Sequence, residues 1–197
     1  MAEPSGRKRV LFLFSDTGGG HRSATNAMIE AMGLEFPGTF DCKMVDVFRD
    51  YLPAPLRYAP EIYPPMTKFP ETWAISYRTT DGKRRSRAVI RLLFPYVARS
   101  IRRLYRENPA DIIVSVHPLV NTAMLRTMKK HPTPFMTVVT DMVTTHAFWF
   151  DRRADLVVVP TDEAREVAIE YGIPAGNVRV VGLPSAERFR VPPPDPS

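Results

Sequence analysis

Short runs of β-branched and aliphatic residues alternate with amphipathic stretches of helix length, and this alternation constrains the fold more than any other feature of the chain. Strand-like runs occupy residues 9–15, 40–47, 111–116, 135–140, 155–159 and 178–181, and helix-like stretches occupy 21–35, 88–107, 118–130 and 162–171. Strands joined through helices can pair in parallel, because each crossover returns the chain to the same end of the sheet. The expected class is α/β, a Rossmann-like, doubly wound parallel sheet. Single residues mark several boundaries. Asn108-Pro109 should end the long helix, Pro118 suits a first helical turn where its missing N–H is no loss, Thr161 suits an N-cap and Gly172 a C-cap. Pro95 should kink the cationic segment or start a second helix within it.

With 197 residues and 44% hydrophobic composition the chain can bury one substantial core. Its single cysteine, Cys42, cannot form an internal disulfide. The apolar run at 10–14 is too short for a signal peptide, and no stretch approaches the roughly 20 apolar residues of a membrane-spanning helix. Residues 1–8 read as a flexible N-terminus, 9–190 as one domain, and 191–197 (VPPPDPS) as the start of a proline-rich interdomain linker. Residues 49–70, rich in proline and aromatics, read as an ordered irregular loop able to wall a pocket.

Charge is concentrated. The net charge is +6, and residues 83–106 carry nine basic side chains and no acidic one. An acidic partner is implied. Ile90, Leu93, Phe94, Val97, Ile101, Leu104 and Tyr105 recur there at helical spacing with arginines between them, the pattern of a helix that packs one face and solvates the other. The same pattern suits a helix lying on an anionic membrane surface, with Arg84, Arg85, Arg87, Arg91, Arg99, Arg102 and Arg103 as the membrane-binding residues.

Three strand ends carry candidate chemistry. In SDTGGGH, Gly18, Gly19 and Gly20 allow close backbone approach to a ligand, and the helix that follows favours negative charge at its N-terminus. Neither G-x-G-x-x-G nor Gly-Lys-Ser/Thr is present, which argues against a dinucleotide enzyme or a P-loop. The residues alone are compatible with a tight turn, a phosphate loop or a catalytic site. His21, at a helix N-terminus, should be neutral and able to accept a proton, with Asp16 as its orienting carboxylate or as a cap for loop N–H groups. His117 closes DIIVSVH at a strand end, where open α/β sheets gather ligands, and its alternative is a structural hydrogen-bonded histidine. Asp141, His146 and Trp149 fall in TDMVTTHAFWF, where Asp141 and His146 can pair and Trp149 can stack on a ligand or fill the core. The four histidines show no metal-ligand spacing, so no metal and no cofactor are expected.

SDTGGGHRSA, DIIVSVHPL, TVVTDMVTTHAFWF and VVGLPSAERF, in that order over nearly the whole chain, resemble the N-terminal domain of the monogalactosyldiacylglycerol synthase family, which includes processive diacylglycerol glucosyltransferases. The resemblance implies the N-terminal half of a GT-B glycosyltransferase, with the C-terminal donor domain outside this sequence. It implies an acceptor-binding half of an inverting enzyme that transfers galactose or glucose from a UDP-sugar, a co-substrate, to 1,2-diacylglycerol. His21 matches the catalytic base and Arg126 an arginine that reaches the donor diphosphate. His21 and Pro55 match positions that contact an activating anionic phospholipid, and Asp141, His146 and Trp149 match positions at the cleft. The implied partners are diacylglycerol, anionic membrane lipids and the UDP-sugar, with no nucleic acid, and the implied location is peripheral, on the cytoplasmic face of a membrane. The alternative is a non-catalytic membrane-lipid-binding or scaffold module derived from such a domain.

Overall fold

The computed structural model describes residues 6–17, 19–62, 78–142 and 145–189. All six expected strands form: β1 (Lys8–Phe14), β2 (Phe40–Asp46), β3 (Ile112–Ser115), β4 (Phe135–Val138), β5 (Leu156–Val159) and β6 (Val178–Val180). They make one sheet in the order β2-β1-β3-β4-β5-β6, with every pairing parallel. The fold is the Rossmann-like α/β one. The helices that lie wholly within the described residues include α1 (Gly20–Glu35), α2 (Val47–Tyr51), α3 (Lys83–Glu107), α4 (Pro118–Thr127) and α5 (Asp162–Glu170).

The two sheet faces are covered unequally. On one, Val10, Phe12, Val114, Val116 and Val138 meet α1 through Ala24 and the partly buried Met28, Ile29 and Met32. On the other, Leu11, Leu13, Ile113 and Phe135 join the larger core with Val97, Ile101 and Leu104 of α3, Met124 of α4 and Ala164 of α5. The central strand β1 is buried from Val10 to Phe14, as a strand covered on both faces must be.

Four expectations need correction. Strand β2 stops at Asp46 because its carboxylate caps α2, accepting the N–H groups of Phe48 at 3.1 Å and Arg49 at 3.2 Å. The 49–70 segment is therefore partly helical, with the end of α2 followed by a 3-10 turn at Leu56–Tyr58; residues 63–70 lie outside the described ones. Helix α3 starts at Lys83 and runs through Pro95 as a single helix of 25 residues. The proline removes one backbone hydrogen bond, and the turns after it are anchored in the core by Val97, Ala98, Ile101 and Leu104. Helix α4 ends at Thr127 and passes into a 3-10 turn at Met128–Lys130.

The capping signals act as expected. Asn108 terminates α3, and Thr161 Oγ1 accepts the Ala164 N–H at 3.2 Å. Gly172, at φ +93°, follows α5 in a Schellman motif: its N–H donates to Ile169 O at 2.8 Å and the Ile173 N–H donates to Ala168 O at 3.1 Å.

Candidate functional site

The strand order reverses between β1 and β3, since the chain leaves β1 for β2 on one side and returns to β3 on the other. In open α/β sheets the crevice that gathers ligands lies outside the carboxyl ends of the strands at such a switch point. His21 follows β1, His117 follows β3 and Thr140 follows β4, so three segments far apart in sequence converge there. The His21 and His117 rings meet edge to face with centroids 4.9 Å apart.

Gly19 is the N-cap of α1 at φ +80°, and His21 stands in the first turn. Its Nδ1 lies 3.1 Å from Thr140 Oγ1, and the Trp149 ring lies behind it at 5.9 Å. Burial pushes the His21 pKa down to about 4 against an opposing hydrogen bond to the Val116 backbone, so the imidazole is neutral at pH 7. His117 is 4% exposed. Its Nε2 lies 3.3 Å from Thr17 Oγ1, its ring packs against Phe48 at 5.1 Å, and its Nδ1 has no partner among the described residues. Burial first, then the neighbouring His21, holds its pKa well below the ordinary histidine value.

Asp16 does not orient His21. Its carboxylate pairs with Arg22 at 3.2 Å and Arg49 at 3.9 Å, and its backbone N–H donates to Asp46 Oδ2 at 3.2 Å. The guanidinium of Arg22 is sequence-adjacent to His21 and always charged, which makes it the stronger partner for a carboxylate than a neutral ring. Thr140 takes the place expected of Asp16. Gly20 is the first residue of α1, and Gly18 lies outside the described residues.

The described part of TDMVTTHAFWF, residues 140–142 and 145–150, includes a 3-10 turn at Ala147–Trp149. The Asp141 and His146 side chains do not pair with each other. Asp141 Oδ2 accepts Trp149 Nε1–H at 2.7 Å and also takes the His146 backbone N–H; burial raises its pKa against both bonds. His146 Nδ1 accepts the Phe148 N–H at 3.1 Å, while its Nε2 lies 3.1 Å from Thr80 Oγ1 and 4.0 Å from Asp81 Oδ1. Its pKa is lowered by burial, with Asp81 opposing. Asp81 also accepts the Ala147 N–H at 2.9 Å and the Tyr171 hydroxyl at 3.3 Å, which fastens the start of α3 to this turn. Trp149 is fully buried, so it supports His21 from below and has no face for a ligand to stack on.

The matched family model is described as monogalactosyldiacylglycerol (MGDG) synthase and covers residues 21–184. The chain belongs to the monogalactosyldiacylglycerol synthase family. The chloroplastic monogalactosyldiacylglycerol synthase of Spinacia oleracea is 31% identical over 191 residues, which are 95% of this chain and 37% of that protein. Monogalactosyldiacylglycerol synthase 3 of Arabidopsis thaliana is 33% identical over 186 residues, 92% of this chain and 40% of the relative. The chain thus spans about two fifths of the length of these relatives. Among solved structures, the apo form of the lipopolysaccharide outer core galactosyltransferase WaaB shares the fold, with a TM-score of 0.51 at 15% identity over 88% of this chain and 45% of that one.

In this MGDG synthase family member the remaining expected residues lie apart from the histidine pair. Arg126 is exposed in the last turn of α4, its guanidinium 4.1 Å from the Phe94 ring centre, while His117 caps the opposite end of that helix. Pro55 is exposed beside the 3-10 turn after α2. Arg84, Arg85, Arg87, Arg91, Arg99, Arg102 and Arg103 are all exposed on α3. Among the described residues no three His, Cys, Asp or Glu side chains group to hold a metal, and no helix is long and apolar enough to cross a membrane. Thr17, Thr140, Asp46 and Asp81 are the residues that sequence reasoning did not single out. Only Asp46, preceding a short amphipathic run, carried a local signal, that of an N-cap.

Proposed function

We propose that this chain is the acceptor-binding half of an inverting hexosyltransferase that moves galactose or glucose from a UDP-sugar to 1,2-diacylglycerol at a membrane surface. The observation that carries the reading is His21: a neutral imidazole in the crevice at the topological switch point, at the first residue of the family match. In the neutral form it has a lone pair to take a proton. The free hydroxyl of diacylglycerol attacks the anomeric carbon, the bond from that carbon to the UDP oxygen breaks, and the hydroxyl proton passes to His21. Attack from the face opposite the leaving UDP inverts the anomeric centre.

Thr140 orients the ring, and His117 and Trp149 hold it from the side and below. The UDP-sugar binds mainly to a C-terminal domain beyond this sequence, consistent with the share of the relatives that the chain spans. The exposed arginines of α3 bring the domain to anionic lipid on the cytoplasmic face of a membrane.

The test joins this chain to the donor-binding domain of a relative and assays transfer from UDP-galactose and UDP-glucose to diacylglycerol. His21→Ala should lower turnover by about 10²-fold or more, the usual contribution of a positioned base. Undiminished turnover in that variant would remove His21 from the chemistry. The basic face of α3 also supports a second reading, a non-catalytic lipid-binding module, and lipid binding without transfer by the joined protein would select it.

A further inference from the structure

A groove open to solvent runs between α2, α3 and α4. The side chains that line it are apolar: Leu52 and Leu56 on one side, Leu93 and Phe94 of α3 on another, Leu119 and Ala123 of α4 on the third. Leu93 and Leu119 are 41% and 46% exposed, so the rim shows large aliphatic groups to the surroundings. The named lining side chains offer a headgroup no hydrogen bond, so the groove suits an apolar chain better than a sugar or phosphate.

Two aromatic rings separate the groove from the crevice. Phe48 lines it and packs against His117, and Phe148 lines it and stacks on His146 with centroids 4.4 Å apart. His117 in turn touches His21. Phe48 thus links the lining of the groove to the histidine pair. The third relationship is with charge: α3 forms one wall, and its outward side carries exposed arginines with no acidic residue from 83 to 106. That side complements an anionic lipid surface, so the groove opens beside the phase from which an apolar chain would enter.

We infer that the groove seats one acyl chain of the diacylglycerol acceptor, drawn from the membrane under α3, and so delivers the glycerol hydroxyl past Phe48 to the His21–His117 crevice. This inference rests on the reading of the acceptor given above. The groove then supplies affinity through apolar burial, while the crevice supplies the polar contacts.

The experiment uses the full chain with vesicles of equal parts phosphatidylcholine and phosphatidylglycerol. These contain diacylglycerol with a diazirine near the end of one acyl chain, and no UDP-sugar is present. Photolabelling should fall on peptides containing Leu93, Phe94 and Leu119. Ala123→Trp, which fills the groove, should cut that labelling about tenfold while vesicle co-sedimentation stays unchanged. Leu119→Glu, at an exposed rim position, should do the same and covers the case in which the buried tryptophan prevents folding. Labelling spread evenly over the surface, labelling indifferent to both substitutions, or groove labelling by a matching phospholipid probe but not by diacylglycerol would overturn the inference. Because no sugar is transferred, the result stands apart from the catalytic reading: groove labelling with an inactive joined protein would fault the transferase, not the groove.

Discussion

The imidazole of His117 stands edge-on to that of His21, with the ring planes 63° apart, and both rings are held neutral by burial. Stability should therefore depend on pH. In the unfolded chain these histidines, and His146, take a proton near the ordinary value of about 6.5. In the folded chain all three resist it, His21 down to about 4. The unfolded state binds more protons in that window, so their contribution is fully present above about pH 6.5 and is lost as pH falls toward 4. Asp141 acts in the opposite sense, since its raised pKa favours proton uptake by the folded chain. With three groups against one, Tm should be lower at pH 5 than at pH 7.5 in scanning calorimetry. A Tm at pH 5 equal to or above that at pH 7.5 would contradict the histidine environments described above.

The glycine run separates backbone strain from steric room. A Cβ at either Gly19 or Gly20 meets no atom within 4 Å, yet only Gly19 has a positive φ. Gly19→Ala should cost about 1 kcal/mol, because an L-residue is strained in the left-handed region. Gly20→Ala, in the first turn of α1, should be neutral or stabilise by up to about 1 kcal/mol through the unfolded chain. Urea denaturation of the two variants reads the contrast directly, and equal effects would be the unexpected result.

Trp149 should matter through its N–H as well as its size. Trp149→Phe keeps an aromatic ring but deprives the partly buried Asp141 carboxyl of its 2.7 Å donor. Because the His146 N–H still reaches the carboxyl, the loss should be about 1 kcal/mol from the missing hydrogen bond. Asp141→Asn, which retains an oxygen acceptor and removes the buried charge, should cost less. The reverse order of stabilities in chemical denaturation would show that the indole acts by packing only.

The arginines of α3 should act additively on lipid surfaces. Replacing Arg85, Arg91, Arg99 and Arg102 by glutamine removes four exposed charges from one helix. At about 1 kcal/mol each, binding to anionic vesicles should weaken by roughly 10²- to 10³-fold. Sedimentation with purely zwitterionic vesicles should not change, and added salt should erase most of the difference between the two proteins.

Much of the architecture was legible because parallel strands covered on both faces must be continuous apolar runs, and VLFLF at 10–14 and LVVV at Leu156–Val159 are such runs. Caps at Thr161 and Gly172 were legible for local reasons as well. The histidines at strand ends pointed to the right end of the sheet. Their partners did not show, because they depend on which strands are neighbours. Thr140 bonds His21 across 119 positions, and Asp81 meets Ala147 across 66. Asp16 pointed to His21 by proximity in sequence, but the Arg22 guanidinium takes its carboxylate. The buried state of Trp149 follows from the turn at Ala147–Trp149, which composition did not distinguish from an exposed aromatic cluster.

The reversal of strand order carries a consequence for biosynthesis. As the chain leaves the ribosome, α1 emerges with His21 on it well before the residues that give that histidine its environment. His117 follows 96 positions later (117 minus 21) and Thr140 later still. Until β3 and β4 have joined β1, the ring stays in water with an ordinary affinity for protons. Its proton affinity is thus a late readout of assembly, changing only when the centre of the sheet has closed around it.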